Sequence, residues 1–129
     1  MEVPAPVDAE CALPESVAGL ALARDFTRAT LTGWGFGAVA DDALLIVTEL
    51  ATNAVLHGEG KPVLRLKYGA AVVRLEVTDE STALPATRES GPDGGWGLRL
   101  VQELSLAWGV TPGAAGKVVW CELGRAPRE

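Results

Sequence analysis

Residues 41–58 hold the feature that most limits the possible folds: a long run of apolar residues at helical spacing, with three polar residues repeated every four positions. The polar residues are Glu49, Asn53 and His57, and on a helix they spread over about 80° of one side. The buried face would consist of the apolar residues beside them: Ile46, Val47, Leu50, Ala51, Ala54 and Val55. The polar residues therefore lie at the border of the buried face, where a polar group without a partner costs free energy. This placement indicates a binding site beside the helix.

The rest of the chain predicts two more helices and four strands. Ser16 is a candidate N-cap for a first helix that ends near Gly33, and a third helix is predicted to begin near Trp96 or Gly97. Alternating apolar and polar residues predict strands over 63–68, 73–78, 107–111 and 117–123. We expect residues 1–12 to be a flexible lead-in, residues 13–124 a single domain, and residues 125–129 a tail.

The predicted order is helix, helix, strand, strand, loop, helix, strand, strand. Helices segregated from hairpin-linked strands predict an α+β fold, a two-layer α/β sandwich whose mixed, mostly antiparallel sheet carries helices on one face. The loop near residues 80–95 is rich in Ser, Thr, Pro and Gly. A loop of this length is usually a functional lid or a disordered segment.

Composition excludes several classes of protein. The 129 residues carry a net charge of −6, which argues against a sequence-independent nucleic-acid binder. No apolar run approaches the roughly 20 residues of a membrane span, and residues 1–10 lack the basic and apolar segments of a signal peptide. One histidine and two distant cysteines argue against a zinc site. We therefore expect a cytoplasmic protein that contacts neither membrane nor nucleic acid.

Three places are candidate sites: the Glu49, Asn53 and His57 group, Asp79 at the end of an apolar strand, and the glycine run at 94–97. Each has a structural alternative. Glu49 could be a solvated acid, Asn53 a surface amide, and His57 a favourable charge at a helix C-terminus. Asp79 could cap the following turn, and the glycines could form a hinge before an ordinary helix.

Together these residues suit one phosphate-bearing ligand. Asn53 offers an oxygen to a hard cation such as Mg²⁺, and Glu49, one turn earlier, could deprotonate a nucleophile. Glycines before a helix let the backbone N–H groups approach a phosphate. The P-loop and Rossmann patterns are absent from the chain.

These motifs resemble those of the GHKL superfamily of ATP-binding domains, which is named for gyrase, Hsp90, histidine kinases and MutL. Residues 49–58 (ELATNAVLHG) resemble its N box, residues 77–81 (VTDES) and 95–101 (GWGLRLV) its two glycine boxes, and residues 116–123 (GKVVWCEL) its closing strand. The similarity covers residues 13–124 and is greatest to bacterial anti-sigma factor serine/threonine kinases and small stand-alone ATP-binding relatives. It implies a Bergerat-type ATP-binding fold.

The resemblance also implies residue roles in a site for ATP and Mg²⁺. Asn53 would reach Mg²⁺ bridging the ATP phosphates, Glu49 would be the general base for an attacking hydroxyl, and Asp79 would accept a hydrogen bond from the adenine amino group. The remaining cofactor-binding residues would be His57, Ser81, Gly95, Gly97 and Leu98, with the two glycines letting a lid close on the phosphates.

Three positions depart from the family pattern. Val118 stands where many relatives have a threonine that supports the adenine-binding aspartate, and valine cannot donate that hydrogen bond. Trp96 replaces a lid residue that is often basic or polar. Ser81 stands where the superfamily often has glycine, although the small anti-sigma relatives commonly have serine. These departures concern nucleotide affinity and catalysis more than the fold.

Two functions follow as hypotheses. The first is an ATP-binding regulator that phosphorylates a serine or threonine on an antagonist protein and so controls a sigma factor or a similar partner; such relatives commonly form homodimers. The second is a catalytically inactive, ATP-sensing module that binds a protein partner. The catalytic half of a histidine kinase is disfavoured, because no phosphoacceptor helix precedes the domain and His57 is the only histidine.

Overall fold

The computed structural model describes residues 7–69, 72–81, 98–113 and 116–124. In chain order, their elements are β1 (Val7–Ala12), α1 (Val17–Gly33), a short 3₁₀ turn (Gly37–Val39), α2 (Ala40–His57), β2 (Val63–Tyr68), β3 (Val72–Asp79), α3 (Arg99–Leu104), β4 (Ala107–Gly113) and β5 (Gly116–Gly124).

The five strands form one sheet in the order β1-β2-β3-β5-β4. Every strand pairing within the described residues is antiparallel, so the parallel component of the predicted mixed sheet is not found there. The α+β class and the predominantly antiparallel sheet are confirmed. Because β5 pairs between β3 and β4, the ends of β3 and β5 lie side by side in the middle of the sheet.

Helix α2 is the buried element that carries the polar residues of the predicted site. Asp41 and Asp42 lie in its first turn, where negative charge is favourable beside the positive end of the helix dipole. At its other end, Gly58 N–H donates a hydrogen bond to Ala54 O at 3.0 Å. The predicted bounds of this helix are therefore nearly those observed.

The core lies between the helices and one face of the sheet. Alternate residues on each central strand point toward α2 because side chains in a strand alternate between faces. The buried members are Leu64 and Leu66 on β2, Val73, Leu75 and Val77 on β3, and Val119, Cys121 and Leu123 on β5. They pack with the apolar face of α2, which consists of Ile46, Val47, Leu50, Ala51 and Ala54. The two-layer arrangement follows from these two periodic patterns.

The prediction that residues 1–12 are a flexible lead-in is wrong for residues 7–12. They form β1, which pairs antiparallel with β2 through register partners such as Ala9 with Leu66 and Cys11 with Leu64. A salt bridge between Arg65 and Glu10 joins the same strands. Alanine and acidic residues are poor strand formers, so this edge strand depends on pairing with β2 more than on its own propensity.

The C-terminal half differs from the prediction only at element ends. Helix α3 begins at Arg99, and the predicted start near residues 96–97 lies outside the described residues. Leu106 follows the end of this helix and is exposed. Strands β4 and β5 each extend beyond the predicted bounds.

Trp34 packs inside the domain. Its ring centroid lies 4.7 Å from that of Tyr68 on β2, and Phe36 also contacts Tyr68 at 5.0 Å. This aromatic group fastens the end of α1 to the sheet. Among the described residues, none of the helices is both long and apolar enough to cross a membrane.

Candidate functional site

A narrow cavity lies between the second half of α2 and the neighbouring ends of β3 and β5. Its lining is Leu50, Asn53, Ala54, Val77, Asp79, Leu98, Lys117 and Val119. Its volume is about 10 Å³, which is room for about one water molecule. Most of the wall is apolar, and the polar groups are concentrated at Asn53, Asp79 and Lys117.

Asp79 is a buried acid at the strand end, as the sequence pattern indicated, and only 4% of its surface is exposed. Its Oδ1 atom accepts two hydrogen bonds, one from Ser81 N–H at 2.7 Å and one from Lys117 Nζ at 2.9 Å. Lys117 lies directly opposite Asp79 in the register of β3 and β5. The acid is therefore held by an opposite charge and a backbone donor, which is the condition under which proteins bury a carboxylate.

Two glycines leave room for Asp79. A Cβ atom on Gly58 would lie 2.9 Å from Asp79 Cγ and 2.5 Å from Ala54 O. A Cβ atom on Gly116 would lie 2.1 Å from the Asp79 backbone oxygen. All three distances are too short for real contacts, so any larger residue at either position would displace β3 from α2 or from β5.

In this chain the residue before Val118 supports Asp79. The supporting side chain is Lys117, whose Nζ contacts Asp79. Val118 has the opposite parity on β5 and lines a groove of about 410 Å³ that Asp79 and Lys117 also border. Because side chains alternate along a strand, the burial of Val119, Cys121 and Leu123 implies that residue 117 lies on the same inner face.

Glu49 lies on α2 four residues before Asn53 and is half-buried. Within the described ranges, no hydrogen-bond partner is found for its buried Oε2 atom. Burial raises the pKa of the Glu49 carboxyl to about 7, because removal from water disfavours the charged form. A carboxyl group that titrates near neutral pH is suited to take up a proton during catalysis.

The other predicted site residues are placed as follows. Asn53 lines the cavity, and Leu98, which closes one side of it, is buried. Ser81 is buried and contributes its backbone N–H to Asp79. His57, the last residue of α2, is exposed and does not line the cavity. Gly95 and Gly97, with Trp96 and most of the predicted lid, lie outside the described residues.

A metal ion at this site would have few protein ligands. The described part of the chain contains no group of three or more His, Cys, Asp or Glu residues that could hold a metal ion. Asn53 is the side chain lining the cavity that offers a neutral oxygen. Mg²⁺ is commonly bound in this way, by one or two side chains together with substrate phosphates and water.

The family model described as histidine kinase-like ATPase domain matches residues 13–122. The chain belongs to the histidine kinase-like ATPase family. The resemblance inferred from residues 49–58 and 95–101 is thereby confirmed at the level of the family. No curated protein matches the sequence significantly.

A solved structure with the same fold contains the RsbU and RsbW domains of Rv1364c from Mycobacterium tuberculosis. It superposes with a TM-score of 0.71 and 20% sequence identity, over 95% of this chain and 33% of that chain. This chain thus spans about a third of that structure. At this level of sequence identity, the similarity shows only that the two proteins share a fold.

Proposed function

We propose that this protein is an ATP-binding regulator that binds Mg²⁺-ATP in the cavity between α2, β3 and β5. The buried Asp79 carboxylate carries this proposal, because it places a fixed acceptor at the inner end of a pocket with apolar walls. Leu50, Val77 and Val119 offer those walls to a flat purine ring. An acceptor of this kind selects a base with an exocyclic amino group over one with a carbonyl at the same position.

The side chains that line the cavity are chemically suited to a nucleotide, but the cavity must widen to accept one. An adenine ring is far larger than the one water molecule for which there is room. Leu98 is the cavity residue that lies outside both α2 and the sheet. We therefore expect Leu98 and the start of α3 to move outward when nucleotide binds.

The residues of α2 would act at the phosphate end. Asn53 would ligate Mg²⁺, and Glu49 would accept the proton from a serine or threonine hydroxyl of the protein substrate. ATP supplies the phosphoryl group that is transferred. His57, Ser81, Gly95, Gly97 and Leu98 would complete the nucleotide-binding site, the two glycines where a lid approaches the phosphates.

The partner we propose is an antagonist protein phosphorylated on serine or threonine, in a switch that controls a sigma factor, with a cytoplasmic location and a homodimer as the working form. The resemblance of residues 49–58 and 95–101 to anti-sigma factor kinases supports this, and so does the shared fold with a structure that includes an RsbW domain. An ATP-sensing module without transfer activity is the alternative.

Calorimetric titration tests the nucleotide site. We expect ATP to bind in the presence of Mg²⁺, and removal of Mg²⁺ or the Asn53→Ala substitution to weaken binding by about tenfold or more. The matched control is Thr52→Ala, at the neighbouring position of α2, which should leave affinity unchanged. Mg²⁺-independent binding, or no binding at all, would overturn the proposal.

Incubation with labelled ATP and candidate antagonist proteins tests the transfer step. Glu49→Gln should keep nucleotide binding while reducing the transfer rate by about 100-fold or more, because loss of a general base costs roughly that factor. ATP binding without transfer by the unsubstituted protein would leave only the sensing role.

A further inference from the structure

Lys117 has no role in the site described by the family motifs, yet it is the most deeply placed cation of the described residues. Its side chain is 1% exposed, and its Nζ lies 2.9 Å from Asp79 Oδ1 and 3.5 Å from Ser81 O. It also lines the cavity beside Asp79. An ammonium group is removed from water at considerable cost unless it is paired, so this placement calls for an explanation.

The two oxygens of Asp79 are not equivalent. Oδ1 accepts from both Lys117 Nζ and Ser81 N–H, and an oxygen of a carboxylate has about two acceptor positions. Within the described ranges, no donor is found on Oδ2. Oδ2 therefore has acceptor capacity left for a further donor that enters the cavity.

We infer that Lys117 is a positioning residue for base recognition: it occupies Asp79 Oδ1 and thereby directs the amino group of an adenine nucleotide to Oδ2. The inference rests on the proposed ATP site and names the residue that sets its selectivity. The pair is also neutral as a whole, so the base end of the cavity presents an oriented acceptor without an unbalanced buried charge. Lys117 acts through Asp79 and need not touch the nucleotide.

Lys117→Met tests this, because methionine retains most of the length of the side chain and removes the donor. The measurement is the ratio of the affinity for Mg²⁺-ATP to that for the Mg²⁺ complex of purine riboside triphosphate, which lacks the amino group. Interactions of the phosphates and the metal cancel in this ratio. We expect the unsubstituted protein to prefer ATP by about tenfold or more, and the variant to lose most of that preference.

Lys67→Met is the matched control, since Lys67 is a sheet lysine with a 38% exposed side chain that pairs with Glu76 on the opposite face. It should leave the ratio unchanged. An unchanged ratio in Lys117→Met, or equal weakening of both nucleotides, would overturn the inference while the ATP site stands. Equal affinity of the unsubstituted protein for both nucleotides would also overturn it. If neither nucleotide binds to the unsubstituted protein, the proposed function itself fails.

A second measurement needs no variant and stays decisive if Lys117→Met does not fold. The unsubstituted protein is treated with an amine-acetylating reagent, with and without Mg²⁺-ATP, and its lysines are compared by peptide mass spectrometry. Lys67 should be acetylated in both samples and Lys117 in neither, because Lys117 remains paired with Asp79 in the complex. Acetylation of Lys117 induced by ATP would show that the nucleotide displaces it, which contradicts a positioning role.

Discussion

Glu49 is a residue whose chemistry is changed by its place in the fold. Burial raises the pKa of its carboxyl from the ordinary value of 4.5 to about 7, and its Oε2 has no partner among the described residues. Between these two values the folded state holds a proton that the unfolded state has released. The contribution of Glu49 to stability is therefore greatest at low pH and declines as the pH rises to about 7.

Glu49→Gln should remove this decline. We expect the variant to gain stability relative to the unsubstituted protein as pH rises from about 4.5 to about 7, with a constant difference above that. Urea unfolding across this pH range measures the difference. Glu15→Gln, the same chemical change at an exposed position before α1, is the control and should give no such trend. A parallel stability profile for Glu49→Gln would contradict the burial of this carboxyl.

Because Gly58 has no side chain, the end of α2 can pack closely against Asp79. Gly58→Ala places a Cβ atom 2.5 Å from Ala54 O and 2.9 Å from Asp79 Cγ, so we expect a loss of about 1–3 kcal/mol in the free energy of unfolding. ATP affinity should fall as well, since Asp79 must shift.

The matched control is Gly33→Ala at the end of α1, where a Cβ atom meets nothing within 4 Å. Its stability should change by less than about 1 kcal/mol. Thermal and urea unfolding of both variants make the comparison. Equal effects of the two substitutions would show that α2 and β3 can separate at little cost.

Among the elements, strands β2, β3 and β5 share a charged network on the sheet face opposite α2. Arg74 Nε lies 2.7 Å from Glu76 Oε2, and Arg74 Nη1 lies 3.1 Å from Glu122 Oε2. The same guanidinium lies 4.2 Å from the ring centroid of Trp120. One side chain thus links β3 to β5 and covers Glu76, which is buried.

Arg74→Ala should cost about 2 kcal/mol in the free energy of unfolding, because it removes charged hydrogen bonds and a cation–π contact and leaves Lys67, at 3.6 Å, as the ion-pair partner of Glu76 among the described residues. Arg65→Ala is the control at the β1–β2 pair. The Arg65–Glu10 pair is 39% and 54% exposed, and such pairs contribute less than about 1 kcal/mol. Urea unfolding compares the two, and a larger loss for Arg65→Ala would reverse this ranking.

For the molecule as a whole, the candidate site lies where the two layers meet. Asn53 and Glu49 come from the helical layer, whereas Asp79 and Lys117 come from the sheet. A ligand held by both sets would bridge the layers and stabilise the folded state in proportion to its affinity. Because the cavity has room for only about one water molecule, part of the binding free energy must be used to widen it.

Much of the fold follows from patterns within single helices and strands and can be predicted from the sequence. The 3.6-residue period of α2 and the two-residue period of β2 and β3 place their apolar residues in one core. The family motifs assign residues 49–58 and Asp79 to one site, and in the structure Asn53 and Asp79 line the same cavity. Local patterns succeed here because each element has one face that must be removed from water.

Other features depend on partners distant in sequence. Strand β1 has weak strand propensity of its own and exists through pairing with β2. The contact of Lys117 with Asp79 needs the register of β5 against β3, and a shift of one residue would turn Val118 inward instead. Periodicity and motif spacing thus suffice to predict the layers, the family and the α2 motif. The edge strand, the partner of Asp79 and the burial of Glu49 become visible only in the folded chain, because cross-strand register and removal from water are properties of the packed chain.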